Sequence, residues 1–152
     1  MSEPDELMVR IGRGIELSQR GDRAAARELF ARIWDEIGPD GDPLHRCALA
    51  HHMADTQDDV TEELAWDLRA LEAADSITEE RARQAGVAGS VRGFYPSLHL
   101  NLGEAYRKLG DLERARHHLE RGRAAVDALG DDGYGRLVRG ALDRLADRLG
   151  TV

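Results

Sequence analysis

The sequence contains a single cysteine, Cys47, among 152 residues. One thiol forms no intramolecular disulfide and cannot build an all-cysteine zinc site, so the fold has to rest on its hydrophobic core. The chain is long enough for this, because a domain of about 150 residues buries roughly 68–70% of the surface that its unfolded chain exposes. A lone cysteine is also typical of a reducing compartment, and we expect a cytoplasmic protein.

Aromatic residues are scarce and apolar runs are short. Only two Phe, three Tyr and two Trp occur, and no stretch alternates apolar and polar residues over six positions, so strand signals are nearly absent. No apolar run approaches the ~18 residues that a membrane span needs. The first residues are acidic, whereas a signal peptide begins with basic residues. We therefore expect no membrane partner.

Basic residues are outnumbered by acidic ones, 21 Lys and Arg against 29 Asp and Glu. The formal net charge is −8, and Lys108 is the only lysine. Such an acidic domain is poorly suited to neutralise phosphate backbones, which argues against nucleic acid as a partner. The deficit is concentrated in residues 41–80, which carry 2 basic and 11 acidic side chains. A protein or peptide partner of basic character would be steered toward that segment.

Helical periodicity, in contrast, runs through almost the whole chain. Apolar residues recur at three- and four-residue intervals, and glycine, proline and capping aspartates separate the periodic segments. This pattern predicts an all-α protein with one domain over residues 1–152. Its predicted parts are helical hairpins at about 4–37, 43–75 and 96–129, an insert at 76–95 with one short helix, and a capping helix at 132–149.

Two of these hairpins share one arrangement of small residues. Gly14 and Gly103 each precede a second glycine by seven residues, and an aspartate follows that second glycine. Ala26 and Ala115 stand twelve residues after the first glycine in each case. Small residues on both helices allow a close crossing, the second glycine permits a tight reversal, and the aspartate caps the next helix.

The shared arrangement resembles the tetratricopeptide repeat, whose first helix carries Leu-Gly and then Tyr and whose second helix carries Ala and a large apolar residue. The third hairpin matches at Leu102, Gly103, Tyr106, Gly110, Asp111, Ala115 and Leu119. The first hairpin keeps the glycines, Ala26 and Phe30, whereas the middle hairpin has His51 and Asp58 where the others have glycine. The resemblance implies a superhelical array of about three hairpins closed by the capping helix.

The resemblance also implies a function. In such arrays the first helix of each hairpin lines a concave groove that binds a partner peptide or helix, so we expect a non-catalytic scaffold for protein–protein interaction, with no cofactor. The residues that this implies for the groove are Ile11, Ile15, Gln19, His45, His52, Asp55, Leu100, Asn101, Glu104, Arg107 and Lys108. In the middle hairpin a shift of one residue exchanges His52 for His51, and both assignments stay open.

Two alternative functions, an enzyme and a homodimer, are also compatible with residues of the first and third predicted helices. His45, His51, His52 and Asp55 could serve a metal-dependent enzyme, or Cys47 and His51 a cysteine enzyme, although no His-Glu-x2-His or Cys-x2-Cys motif occurs. The other alternative is an obligate homodimer built on Met8, Ile11 and Ile15. If the histidines contact a partner, their ordinary pKa near 6.5 predicts that binding changes between pH 5.5 and 7.5.

Overall fold

A computed structural model describes residues 6–84 and 91–150 of the chain. Within these residues 82% are helical and no strand occurs, so the predicted all-α class is confirmed. None of the helices described is long and apolar enough to cross a bilayer. The α-helices are α1 (Glu6–Gln19), α2 (Arg23–Ile37), α3 (Pro43–Asp55), α4 (Val60–Asp75), α5 (Glu79–Gln84), α6 (Tyr95–Lys108), α7 (Leu112–Ala124) and α8 (Gly133–Arg148).

Four aspartates start helices, as their positions in the sequence indicate. The carboxylates of Asp22, Asp42, Asp111 and Asp132 each accept a hydrogen bond from a backbone amide two or three residues later, in α2, α3, α7 and α8 respectively. Each cap satisfies one of the amides that a helix leaves unpaired at its start, which contributes about 1 kcal/mol. Pro43 follows Asp42 at the first helical position, where its missing N–H costs nothing.

Contacts divide the chain into two compact units, one ending at Ala73 and one beginning at Ala74. The first unit contains α1, α2, α3 and most of α4, and its core includes Ile11, Phe30, Ile33, Leu49 and Met53. The second unit contains α5 to α8, and its core joins α7 to α8 through buried apolar residues: Ala115, Leu119, Val138, Leu142, Leu145, Ala146 and Leu149. A single domain over residues 1–152 stays a prediction.

The turns α1–α2 and α6–α7 have the same backbone geometry. Gly21 and Gly110 lie in the left-handed region, with φ of +89° and +83°, which a residue with a Cβ rarely adopts. In each turn the amide of the next residue, an aspartate, donates to the carbonyl five residues earlier at 2.9 Å. The sequence similarity of the two hairpins therefore corresponds to one shared way of reversing the chain.

Both hairpins also bring their helices close together at the other glycine. A Cβ on Gly14 would collide with the Phe30 ring, and one on Gly103 would lie 2.7 Å from Leu145 Cδ2 of α8 and 3.4 Å from the Ala115 carbonyl oxygen. Helices α3 and α4 do not approach each other as closely over the described residues. The middle hairpin lacks the equivalent small residue, because His51 occupies that place.

The last helix differs from the predicted cap at its first turn. The spacing of Tyr134, Val138, Ala141, Leu145 and Leu149 predicts one apolar face for this helix; Val138, Leu145 and Leu149 are buried, but Tyr134 is 54% exposed. The Tyr134 hydroxyl donates to Ser97 Oγ of α6 at 3.1 Å. In the insert, Gly86, Gly89 and Gly93 predict a frayed short helix; Gly86 and Gly89 lie outside the described residues, and Gly93 lies in the short helical turn Val91–Phe94.

The close packing of α6 on α7 gives a stability test. We expect Ala115→Leu to lower the free energy of unfolding by about 1–3 kcal/mol, because Ala115 is fully buried and has no room for added methylenes. The same change at the exposed Ala124 is the control and should cost less. Urea unfolding of both variants measures the difference, and equal midpoints would contradict the close-packing interpretation.

Candidate binding groove

A pocket of about 150 Å³ lies in the first unit where α1 and α3 pack side by side. Four of the residues that the sequence assigned to a groove line it: Ile15 and Gln19 from α1, and His52 and Asp55 from α3. Ser18 and the Phe30 ring complete the lining. The two helices are the first helices of successive predicted hairpins.

The lining combines apolar walls with polar groups. Ile15 and Phe30 supply the apolar part, and the His52 ring lies near the Phe30 ring, with centroids 6.5 Å apart and planes inclined by 29°. Gln19 and Ser18 offer hydrogen-bonding groups, and Asp55 is the one charged residue of the lining. Such a pocket suits an aliphatic stem that ends in a positive group, because the stem finds apolar contact and the charge finds a carboxylate.

The end of α3 that carries the two pocket residues is fastened by arginines of α2. Arg27 donates to the Thr56 carbonyl from Nε and Nη2 at 3.1 and 2.8 Å, and Arg23 Nη2 donates to the Gln57 carbonyl at 2.9 Å. Arg23 also pairs with Asp58 at 2.7 Å. These bonds satisfy carbonyls beyond the last turn of α3, which a helix otherwise leaves to water.

Sequence reasoning missed these two arginines, and it named Phe30 only as the large apolar residue of the second helix. Arg23 and Arg27 donate to carbonyls about thirty residues further along the chain. Such contacts are not predictable from periodicity, because periodicity relates only residues within one helix. The place of Phe30 beside α1 had a usable signal in Gly14, because the ring occupies the space that a side chain at Gly14 would fill.

The pocket histidine is neutral at physiological pH. Burial, with a smaller contribution from the adjacent His51, lowers the pKa of His52 to about 4, while Asp55 acts in the opposite direction. Burial also lowers the pKa of His51. The charge change expected of His52 between pH 5.5 and 7.5 is therefore wrong, because desolvation moves the titration below that range.

Two predicted groove residues lie elsewhere. Ile11 is 1% exposed and belongs to the core of the first unit, so it does not line the pocket. His45 is 9% exposed, and its Nδ1 lies 3.9 Å from a carboxylate oxygen of Asp42. Both assignments are corrected for the same reason: a helix that packs on two neighbours buries a wider arc than its groove-facing residues alone.

The predicted residues of α6 lie in the second unit. Glu104 accepts hydrogen bonds from Arg107 at 3.0 Å and from Arg148 of α8 at 2.8 Å, so its carboxylate is shared between two guanidinium groups. The remaining three differ in exposure: Leu100 and Asn101 are half-buried, whereas Lys108 is exposed.

The enzyme alternatives depend on the same helix α3. Over residues 6–84 and 91–150, no group of three or more His, Cys, Asp or Glu side chains is arranged to hold a metal ion. The Cys47 thiol of the alternative dyad is buried. Comparison of the chain with protein-family models, with curated proteins and with solved structures finds no match.

The depressed histidine pKa predicts how stability depends on pH. In the unfolded chain His52 takes up a proton near pH 6.5, whereas in the folded protein it does so only near pH 4. The unfolded state therefore binds more protons between these values, and the free energy of unfolding falls as the pH falls, by up to about 1.4 kcal/mol per pH unit for one such group.

We expect His52→Gln to reduce this slope between pH 6.5 and 4.5, measured by urea unfolding at a series of pH values. Leu137→Gln, at an exposed position of α8, removes no titratable group; it is the control and should leave the slope close to that of the wild type. An unchanged slope in His52→Gln would mean that folding does not depress the pKa of His52.

Proposed function

We propose that this chain is a protein-interaction module of the tetratricopeptide-repeat type, which binds a segment of a partner protein in the pocket between α1 and α3. The observation that carries the proposal is the meeting of Ile15, Gln19, His52 and Asp55 in one pocket. These residues come from the first helices of two successive predicted hairpins, which is where the resemblance implies that a partner binds.

The geometry of the hairpins adds support. The α1–α2 and α6–α7 turns share the glycine conformation and the hydrogen bond that follows it, and both hairpins have a glycine at the close crossing. Repeated units of one geometry are what a solenoid stacks to form a continuous binding surface. The partner would be a peptide with a basic side chain, because Asp55 is the charged residue of the pocket and the segment 41–80 is strongly acidic.

Selection from a displayed random-peptide library, with the whole chain as bait, tests the proposal. We expect the selected peptides to contain Lys or Arg and to bind Asp55→Asn at least about tenfold more weakly, because one charge-assisted hydrogen bond is lost. Gln19→Ala should also weaken binding. Asp35→Asn makes the same chemical change as Asp55→Asn at an exposed position of α2 outside the pocket, and should bind like the wild type.

Two results would contradict the proposal. The first is peptide binding that survives Asp55→Asn and Gln19→Ala but is lost in variants of other surfaces. The second is a stable dimer in light scattering that Ile15→Glu dissociates and that excludes the selected peptides, since the homodimer would then occupy the pocket itself.

A further inference from the structure

A second and larger pocket, of about 250 Å³, lies within the second unit. It is formed by the end of α4, the short helical turn at Val91–Phe94, the first turns of α6 and the end of α7. Its size is below the range of sites for drug-sized ligands, so a molecule of metabolite size fits it. Five polar residues and two small ones line it: Asp75, Arg92, Tyr95, His99, Arg121, Ala124 and Ala125.

Hydrogen bonds between distant segments hold the polar lining in place. The Tyr95 hydroxyl donates to Asp75 Oδ1 at 2.6 Å, which joins the start of α6 to the end of α4. Arg92 pairs with Asp127 at 2.6 Å and donates to the Ala124 carbonyl, which joins the turn before α6 to the end of α7. Side chains fixed from two sides lose little further freedom when a ligand binds.

The two guanidinium groups of the pocket differ in their charge balance. Arg92 has Asp127 as its counter-ion. Arg121 is exposed and, among the described residues, has no acidic side chain within ion-pair distance. Arginine presents a planar set of donors that matches a carboxylate with two parallel hydrogen bonds. The pocket therefore offers one uncompensated positive charge beside one fixed carboxylate, that of Asp75.

His99 adds a group that can either donate or accept. Its Nδ1 lies 2.9 Å from Nδ1 of His118, and the ring centroids are 5.2 Å apart, so the two nitrogens point at each other. Burial lowers the pKa of both histidines to about 4, and neighbouring His and Arg side chains add to the effect. A neutral pair shares one proton between these nitrogens, and its position decides whether the second nitrogen of His99 donates or accepts.

We propose that this pocket binds a small carboxylic acid that also carries a hydroxyl or ammonium group. The Arg121 guanidinium pairs with the ligand carboxylate, and Asp75 accepts a hydrogen bond from the ligand's donor group. The methyl groups of Ala124 and Ala125 and the Tyr95 ring contact the carbon skeleton. His99 completes the polar lining in whichever tautomer the ligand requires.

The charge of the lining favours a carboxylate over a phosphate group. Arg121 and Asp75 contribute one charge of each sign, so one ligand carboxylate can pair with Arg121 while Asp75 disfavours any further negative charge. A phosphate near neutral pH carries more negative charge, and Asp75 would repel it. Asp75 thus disfavours dianions. Tyr95 donates to one of its two carboxylate oxygens, so the other oxygen favours a ligand that carries a hydrogen-bond donor.

Titration of the ¹⁵N-labelled whole chain, followed by NMR, tests the inference. The probes are 4-hydroxybenzoate, benzoate, the neutral 4-hydroxybenzamide and inorganic phosphate. We expect saturable shifts around His99 and Arg121 with 4-hydroxybenzoate, about tenfold weaker binding of the amide, and weaker binding of phosphate. Arg121→Gln should weaken 4-hydroxybenzoate about tenfold, whereas Arg144→Gln, at an exposed position of α8 outside the pocket, should not.

A second variant tests the role of Asp75 in the opposite direction. Asp75→Asn should reduce the advantage of 4-hydroxybenzoate over benzoate, because a neutral acceptor replaces a charged one, and strengthen phosphate binding, because the repelling charge is gone. The inference is overturned if the amide binds as well as the acid, if phosphate binds the wild type more tightly than 4-hydroxybenzoate, if Arg121→Gln has no effect, or if no probe gives saturable shifts in these residues.

Discussion

The close crossing of paired helices at a residue without a side chain is the constraint on which the rest of the structure depends. A Cβ on Gly14 would collide with the Phe30 ring, and a Cβ on Gly103 would touch the α7 backbone near Ala115 and collide with the Leu145 side chain of α8. Helices packed at this distance bury small residues fully, and the chain, with its single cysteine, relies on such packing for stability. In the first unit the crossing also places Phe30 at the bottom of the pocket that Ile15 and His52 line.

Arginine side chains connect segments of this lysine-poor chain by donating to backbone carbonyl groups. Arg23 and Arg27 hold the segment after α3, Arg92 holds the end of α7, and Arg139 donates to three carbonyls between α7 and α8. In each case a planar guanidinium satisfies carbonyl groups that a helix end or a loop leaves unpaired. A lysine could not reproduce these contacts, because its ammonium group is a single point with no fork of donors.

The sequence predicted the local features well because local chemistry determines them. Capping aspartates and the positive-φ glycines depend on residues within one or two turns of the chain, and the buried alanines on a glycine twelve residues earlier in the same hairpin. Ile11 and His45 were predicted to face the groove but are buried, because the neighbouring helices decide how much of a helix is covered, and periodicity does not reveal those neighbours. Burial also displaced the titration of His52, and no sequence pattern reports desolvation. The pairing of Arg92 with Asp127 joins residues 35 apart and carried no sequence signal at all.

The long-range arginine contacts have a consequence for the order of folding. The hairpins α1–α2 and α6–α7 close over short turns, whereas Arg23 with Asp58 and Arg92 with Asp127 close loops of 35 residues. Closing a longer loop costs more chain entropy, so we expect the hairpins to form before the arginine contacts. Contacts absent from the transition state govern how fast a protein unfolds and leave its folding rate almost unchanged. We therefore expect the long-range arginine contacts to slow unfolding, and so to prolong the lifetime of the native state, more than they accelerate folding.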